Sequence, residues 1–311
     1  MYFPYLRGRQ YELLALRELV QNEFVSDEIL PVIEPVKLSP TFIKTMQEFI
    51  DKKKSVYIIL NPEFGSFFQE YNENKKYSDK MFEFFKSKYI KKGYIFNQEF
   101  LDIISINLEE LDVDNMLLIN NDKDFFQTHY ENVFKDKQPK YNLVPDERIF
   151  LRKCENIVLF DDRFAKQTRN FDYDNKVDEF FSEDHLYYLQ DEFKGFSDYS
   201  IVGKDFQEKG FAPRAVAIHI VYFDDKNKLR IRHFVSDSNE DIQNTALKFY
   251  EALTKLNEWI KTEKIEKTYA LSVLLEHFTN ESYPGLGTLK KLCIMHHIQL
   301  VNNFLIESRK K

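Results

Sequence analysis

The chain is poor in the residues that cross-link or punctuate a fold. It has two cysteines, Cys154 and Cys293. That is too few for a disulfide framework or a cysteine-rich zinc site. Glycine (8) and proline (9) are scarce among 311 residues, which argues against low-complexity linkers and disorder. An excess of positive charge is also missing, since the formal net charge is −7. Neutralised phosphates drive affinity for nucleic acid, so direct nucleic-acid binding is not expected. No run approaches the roughly 18 consecutive apolar residues of a membrane span. The first residues carry Arg7 and Arg9 and no apolar signal segment. The expected location is therefore the cytoplasm, without membrane association.

What is present suits a large aromatic core. Hydrophobic residues make up 43% of the chain, and Phe (30) and Tyr (18) dominate the aromatics. No linker or fixed-period repeat divides the sequence, which predicts a single α/β domain over residues 1–311.

Periodicity predicts alternating elements. Tyr11–Val20 carries an apolar stripe at helical spacing. Ile29–Val36 is a nearly continuous apolar run, as in a parallel strand buried on both faces. Ser39 is a suitable N-cap with Pro40 at the first helical position, opening a helix to about Lys54. Further strands are predicted at Val56–Leu60, Tyr94–Phe96, Met116–Ile119, Tyr141–Val144, Ile157–Phe160 and Tyr199–Val202. Helices are predicted over about Asp79–Lys92, Lys123–Phe134, Asp174–Leu189, Asn239–Thr262 and Thr288–Leu305. Ala215–Phe223 and Lys228–Val235, joined by Asp224–Asn227, read as a β-hairpin. About eight strand–helix alternations point to a TIM-like (βα)8 barrel with a hairpin elaboration near the C-terminal third. A doubly wound open sheet is the alternative.

In both architectures ligands bind at the carboxyl ends of the strands. The informative candidates interrupt or directly follow apolar runs. Glu34 lies between Ile33 and Pro35, where an unpaired carboxylate is costly to bury, so it is either functional or paired with a cation such as Arg7 or Lys37. Asp162 follows Ile157–Phe160 and suits a base, a metal ligand or a partner for Arg163. The planar fork of Arg163 suits a phosphate or carboxylate. His219 sits between two isoleucines, and His233 lies near it if the hairpin register allows. Glu34, Asp162, His219 and His233 are thus the candidate catalytic residues, and Asn61, Arg163, Asp198 and Ser236 the candidate binding residues. Two histidines with carboxylates could hold a divalent metal, although no dense metal-binding spacing is present. The segment Pro284-Gly285-Leu286-Gly287-Thr288 reads as a tight turn opening the last helix, and Cys293 as buried packing.

Several segments together carry a family resemblance. They are Met1-Tyr2-Phe3-Pro4-Tyr5-Leu6-Arg7-Gly8, Pro31-Val32-Ile33-Glu34-Pro35, Gly195-Phe196-Ser197-Asp198-Tyr199-Ser200, Ala215-Val216-Ala217-Ile218-His219, His233-Phe234-Val235-Ser236 and Tyr283-Pro284-Gly285-Leu286-Gly287-Thr288. This set resembles an uncharacterised bacterial family named after a myxobacterial locus tag. It is similar in strand pattern to the beta family proteins of bacteria and phages. The resemblance implies a protein partner encoded nearby, in a mobile or defence-type two-gene system, and transfers no catalytic residue. The resulting expectation is a barrel that binds an anionic or phosphate-bearing ligand at its rim, with metal-assisted or acid/base hydrolysis as one activity. The alternative is a non-enzymatic sensor or scaffold that binds a partner protein.

Overall fold

The computed structural model describes residues 1–106, 111–206 and 213–310. Its strands are β1 (Tyr2–Leu6), β2 (Val32–Ile33), β3 (Val56–Ile59), β4 (Ile90–Ile95), β5 (Leu117–Ile119), β6 (Tyr141–Val144), β7 (Ile157–Asp161), β8 (Asp178–Ser182), β9 (Gly195–Asp198), β10 (Ala217–Phe223) and β11 (Leu229–Val235). The chain forms two compact units. One comprises Met1–Asp162 with Tyr187–Tyr199, and the other Arg163–Leu186 with Ser200–Lys311.

The first unit is a closed parallel barrel in the order β1-β2-β3-β4-β5-β6-β7-β9, with interleaved helices, the expected TIM-like architecture. Side chains alternate along each strand. Phe3, Tyr5, Val32, Tyr57, Ile59 and Phe160 therefore share one buried cluster, which fills the barrel. Their neighbours Tyr94, Phe96, Leu118 and Val144 join a second cluster with Phe100, Phe126 and Phe150 of the surrounding helices. Each buried aromatic ring removes ~150–250 Å² from water, and at about 25 cal/mol per Å² this interior dominates the unit's stability. Closure depends on Gly195. A Cβ there would lie 2.4 Å from the Met1 carbonyl oxygen and 2.7 Å from the Phe3 ring. The helix Pro40–Asp51 begins as expected, with the Ser39 hydroxyl accepting from the Phe42 N–H at 3.1 Å.

The second unit holds an antiparallel sheet in the order β10-β11-β8. The expected hairpin is present, and its register sets His219 directly opposite His233. Helices Thr245–Thr262, Tyr269–Thr279 and Leu286–Ser308 follow. The last of these is buried all round from Leu292 to Asn302, as for a helix at the centre of a core.

Several expectations need correction. β1 is a strand that the sequence pattern does not predict; it contains Pro4, and proline is unusual within a central strand. Asp174–Leu189 is not a helix. It contains a 3₁₀ turn (Asn170–Asn175, in part), β8 and a short helix at Asp184–Tyr187. Pairing with β11 selects the strand, and Asp178 fixes it by binding Arg230 and Tyr222 across the sheet. The helix predicted over Asp79–Lys92 is observed at Lys75–Phe85, and Ile90–Lys92 already belong to β4. The strand placed at Tyr199–Val202 is β9, which ends at Asp198, and Ser200 turns away with φ +51°. The final helix is capped by Gly285 at φ +88°, which spares a side chain the left-handed strain, and Thr288 lies inside the helix.

Candidate functional site

Two clusters of chemistry-bearing side chains stand out, one in each unit. The first lies at the carboxyl ends of the barrel strands. Arg7 follows β1 and Glu34 follows β2, so the parallel register of those strands brings the two together. Both are buried, and Arg7 Nε lies 3.2 Å from Glu34 Oε2. The Tyr5 hydroxyl donates to Glu34 Oε2 at 2.8 Å, and the Glu63 N–H donates to Oε1 at 2.8 Å. Aromatic rings flank the guanidinium, with the Phe64 centroid at 5.2 Å and that of Tyr199 at 5.3 Å. Burial, then the Glu34 charge, pushes the Tyr5 hydroxyl well above its ordinary range. Tyr199 is raised by burial and by Glu34, Asp162 and Glu63, while Arg7 opposes them. Asp162 is exposed just beyond β7, and Glu63 is exposed as well.

The remaining barrel candidates have structural partners. Asn61 is buried and laces β3 to β4, donating to the Ile95 carbonyl at 2.7 Å and accepting from the Ile95 N–H at 2.8 Å. It also donates to Asn97 Oδ1 at 3.0 Å. Asp198 alternates with Ser197 and Tyr199, which places it on the outward face of β9. There it accepts the Tyr2 hydroxyl at 2.7 Å, and burial, then this contact, raises Tyr2 well above its ordinary range.

The second cluster lies on the hairpin of the second unit. His219 Nδ1 and His233 Nδ1 are 2.7 Å apart, and His233 Nε2 lies 3.3 Å from Glu179 Oε2. A neutral His233 that donates through Nε2 to the carboxylate accepts through Nδ1. His219 then donates its Nδ1 proton and keeps Nε2 as a lone-pair acceptor. The Tyr173 ring packs at 4.6 Å from each imidazole centroid, and Phe164 lies 5.1 Å from His219. Burial lowers the pKa of both histidines, and at His233 Glu179 opposes the shift. Arg163 forms a two-pronged bond with Asp184, Nε donating to Oδ2 at 3.1 Å and Nη2 to Oδ1 at 3.0 Å. Ser236 extends the hairpin pairing through both backbone and hydroxyl contacts with Val216. Cys293 is buried, which pushes its thiol up to about 12, so it is no thiolate nucleophile near neutral pH.

The four catalytic candidates thus divide two and two. Glu34 and Asp162 belong to the barrel, and His219 and His233 to the other unit. The paired alternative for Glu34 is the one observed, with Arg7 as the partner, whereas Lys37 lies near Glu70. Among the described residues no group of three or more His, Cys, Asp or Glu is placed to hold a metal ion. Among those residues, too, no helix is long and apolar enough to cross a membrane. Sequence reasoning missed Tyr5, Phe64, Tyr199 and Glu179 as members of these clusters. Arg7 carries the same signal as Glu34, a charge directly after an apolar run.

Comparison of the chain with protein-family models, with curated proteins and with solved structures found no match.

Proposed function

We propose that this protein is the ligand-binding barrel of a bacterial, defence-type two-gene system, working with a protein encoded nearby. The resemblance of its sequence segments supports the partner. The closed parallel barrel supports a ligand site at the strand carboxyl ends. Glu34 carries the reading: each of its oxygens is already engaged by Tyr5, Glu63 or Arg7, so it braces the mouth and is not poised as a base. The ligand in this reading is the anionic or phosphate-bearing molecule suggested by the sequence. Arg7, paired with Glu34 and flanked by the Phe64 and Tyr199 rings, is the cation at that mouth.

The test is titration calorimetry of the protein, alone and co-purified with the neighbouring gene product, against inorganic phosphate, pyrophosphate and a series of small carboxylates. Binding should weaken at least several-fold in Arg7→Lys and in the paired Arg7→Met/Glu34→Leu variant and should fall with salt. Binding that ignores both substitutions sinks the reading of the mouth. Failure of the two gene products to associate sinks the partner.

One observation favours acid/base hydrolysis as a second reading. The series Glu179, His233 and His219 orients one imidazole through another, as general-base catalysis requires. Under this reading His219→Gln abolishes turnover in a hydrolase substrate screen, and Glu179→Gln shifts its pH profile. Activity that survives His219→Gln excludes it.

A further inference from the structure

Side chains alternate along β11, so Arg230, Arg232 and Phe234 share one face of the sheet and His233 points to the other. The register sets Tyr222 opposite Arg230 and Asp178 opposite Arg232, on the same face as the two arginines. The helix Thr245–Thr262 packs there through Trp259, whose ring centroid lies 5.0 Å from that of Tyr222 and 5.4 Å from that of Phe234. A groove of about 350 Å³ runs beside these rings, with Asp174, Val177, Arg232, Phe234, Glu258 and Trp259 among its lining residues. Small-molecule sites span roughly 300–1,000 Å³.

Arg232 is fixed in place but short of acceptors. Its guanidinium lies 5.2 Å from the Trp259 centroid and 5.9 Å from that of Phe234. Among the described residues its one acceptor is Asp178, with Nη1 donating to Oδ2 at 3.4 Å, and its Nε has no partner. That carboxylate is already engaged. Arg230 Nε donates to Oδ1 at 2.7 Å, Arg230 Nη2 lies 2.6 Å from Oδ1, and the Tyr222 hydroxyl donates to Oδ2 at 2.6 Å. Two guanidiniums therefore share one carboxylate, and the more weakly bound of them lines the groove. A guanidinium held flat on aromatic rings with donors to spare suits the two oxygens of a carboxylate.

The groove also carries negative charge. Asp174 and Glu258 are exposed, and among the described residues neither has a cation within ion-pair distance. Lys255 lines the groove too, but it is spent on the Val235 carbonyl and on Asp237, each at 2.7 Å. A simple anion would be opposed by Asp174 and Glu258, and a simple cation by Arg232. A molecule that carries both charges satisfies both, and Val177, Phe234 and Trp259 supply apolar surface for the rest of it.

We propose that this groove binds a zwitterionic amino acid with an apolar side chain. Arg232 takes its carboxylate, Asp174 and Glu258 attract its ammonium group, and its side chain rests against Trp259. The site uses residues of the second unit alone and is independent of the function proposed for the barrel mouth.

Trp259 is the single tryptophan, so its fluorescence reports occupancy of the groove directly. The probes are L-leucine and L-phenylalanine, with 3-methylbutylamine and 4-methylpentanoate as leucine analogues that lack the carboxylate and the ammonium group. Both amino acids should give a saturable change, and leucine should bind at least tenfold tighter than either analogue. Arg232→Lys keeps the charge but loses the planar fork, and should weaken leucine at least fivefold. Glu258→Gln alters only an exposed position, so it tests the proposal even if Arg232→Lys misfolds. It should weaken leucine several-fold and leave 4-methylpentanoate no weaker. Pyrophosphate, a probe of the barrel mouth, should not compete with leucine. The proposal is overturned if neither amino acid gives a saturable change at millimolar concentration, or if both variants bind leucine within twofold of wild type. Equal affinity for leucine and 4-methylpentanoate would reduce the groove to a plain anion site, and competition by pyrophosphate would move the amino acid to the mouth; either result also overturns it.

Discussion

The barrel mouth and the hairpin of the second unit both hold titratable side chains away from water, by opposite means. At the mouth, Arg7 and Glu34 keep their charges and satisfy them against each other, with Tyr5 and a backbone N–H taking the remaining carboxylate positions. On the second unit, burial keeps imidazoles neutral. His185 and His296 are pushed down to about 4 and His297 to about 3, with desolvation as the largest cause in each. Their hydrogen bonds fit neutral rings: His296 donates through Nε2 to the Val221 carbonyl at 2.8 Å and meets the Thr268 hydroxyl at 2.8 Å through Nδ1. A charge-paired site does not tolerate the loss of one partner. A neutral buried site tolerates neither acid nor, where the bond is short, the loss of its partner.

The largest contrast should come from pH. The unfolded imidazole titrates near 6.5, whereas His185 and His296 resist protonation until about 4. Between those values the unfolded chain binds more protons, so stability is full above pH 6.5 and falls as the pH drops towards 4. Each of the two groups contributes about 3 kcal/mol to that loss. The single tryptophan, Trp259, lies in the second unit and reports on it. Urea midpoints followed by its fluorescence should fall steeply from pH 7 to pH 4.5. A flat profile breaks the comparison.

Next in size is the loss of one charge at the mouth. Arg7→Ala strands Glu34 and should destabilise the barrel by ~3–5 kcal/mol, whereas Arg7→Met/Glu34→Leu should recover most of it. Circular-dichroism unfolding at pH 7 separates the two variants. Equal losses would mean that the pair itself, and not the uncompensated charge, sets the stability.

The smallest effect belongs to the paired imidazoles. His219→Leu leaves His233 Nδ1 without its 2.7 Å partner and should cost about 1–2 kcal/mol in the same assay. A loss as large as that of Arg7→Ala would show that the hairpin histidines are held by charge after all.

Local pattern determined much of this protein. The apolar runs after Pro31 and before Asn61 are strands because residues buried on both faces leave no alternation to conceal. Ser39 and Pro40 open a helix for reasons confined to one turn. The hairpin, the barrel class and the pairing of a cation with Glu34 were legible for the same reason. Tertiary structure alone decided the rest. Residues 178–182 became a strand because β11 offered them a partner and Arg230 a counter-charge. Asp198 turned outward because the alternation along β9 faces Ser197 and Tyr199 inward. Lys91 and Lys92 leave opposite faces of a strand because β4 starts before the predicted helix would have ended. Which charge meets which, and which stays without a partner, depends on strand register, and register is set by contacts between residues far apart in the chain.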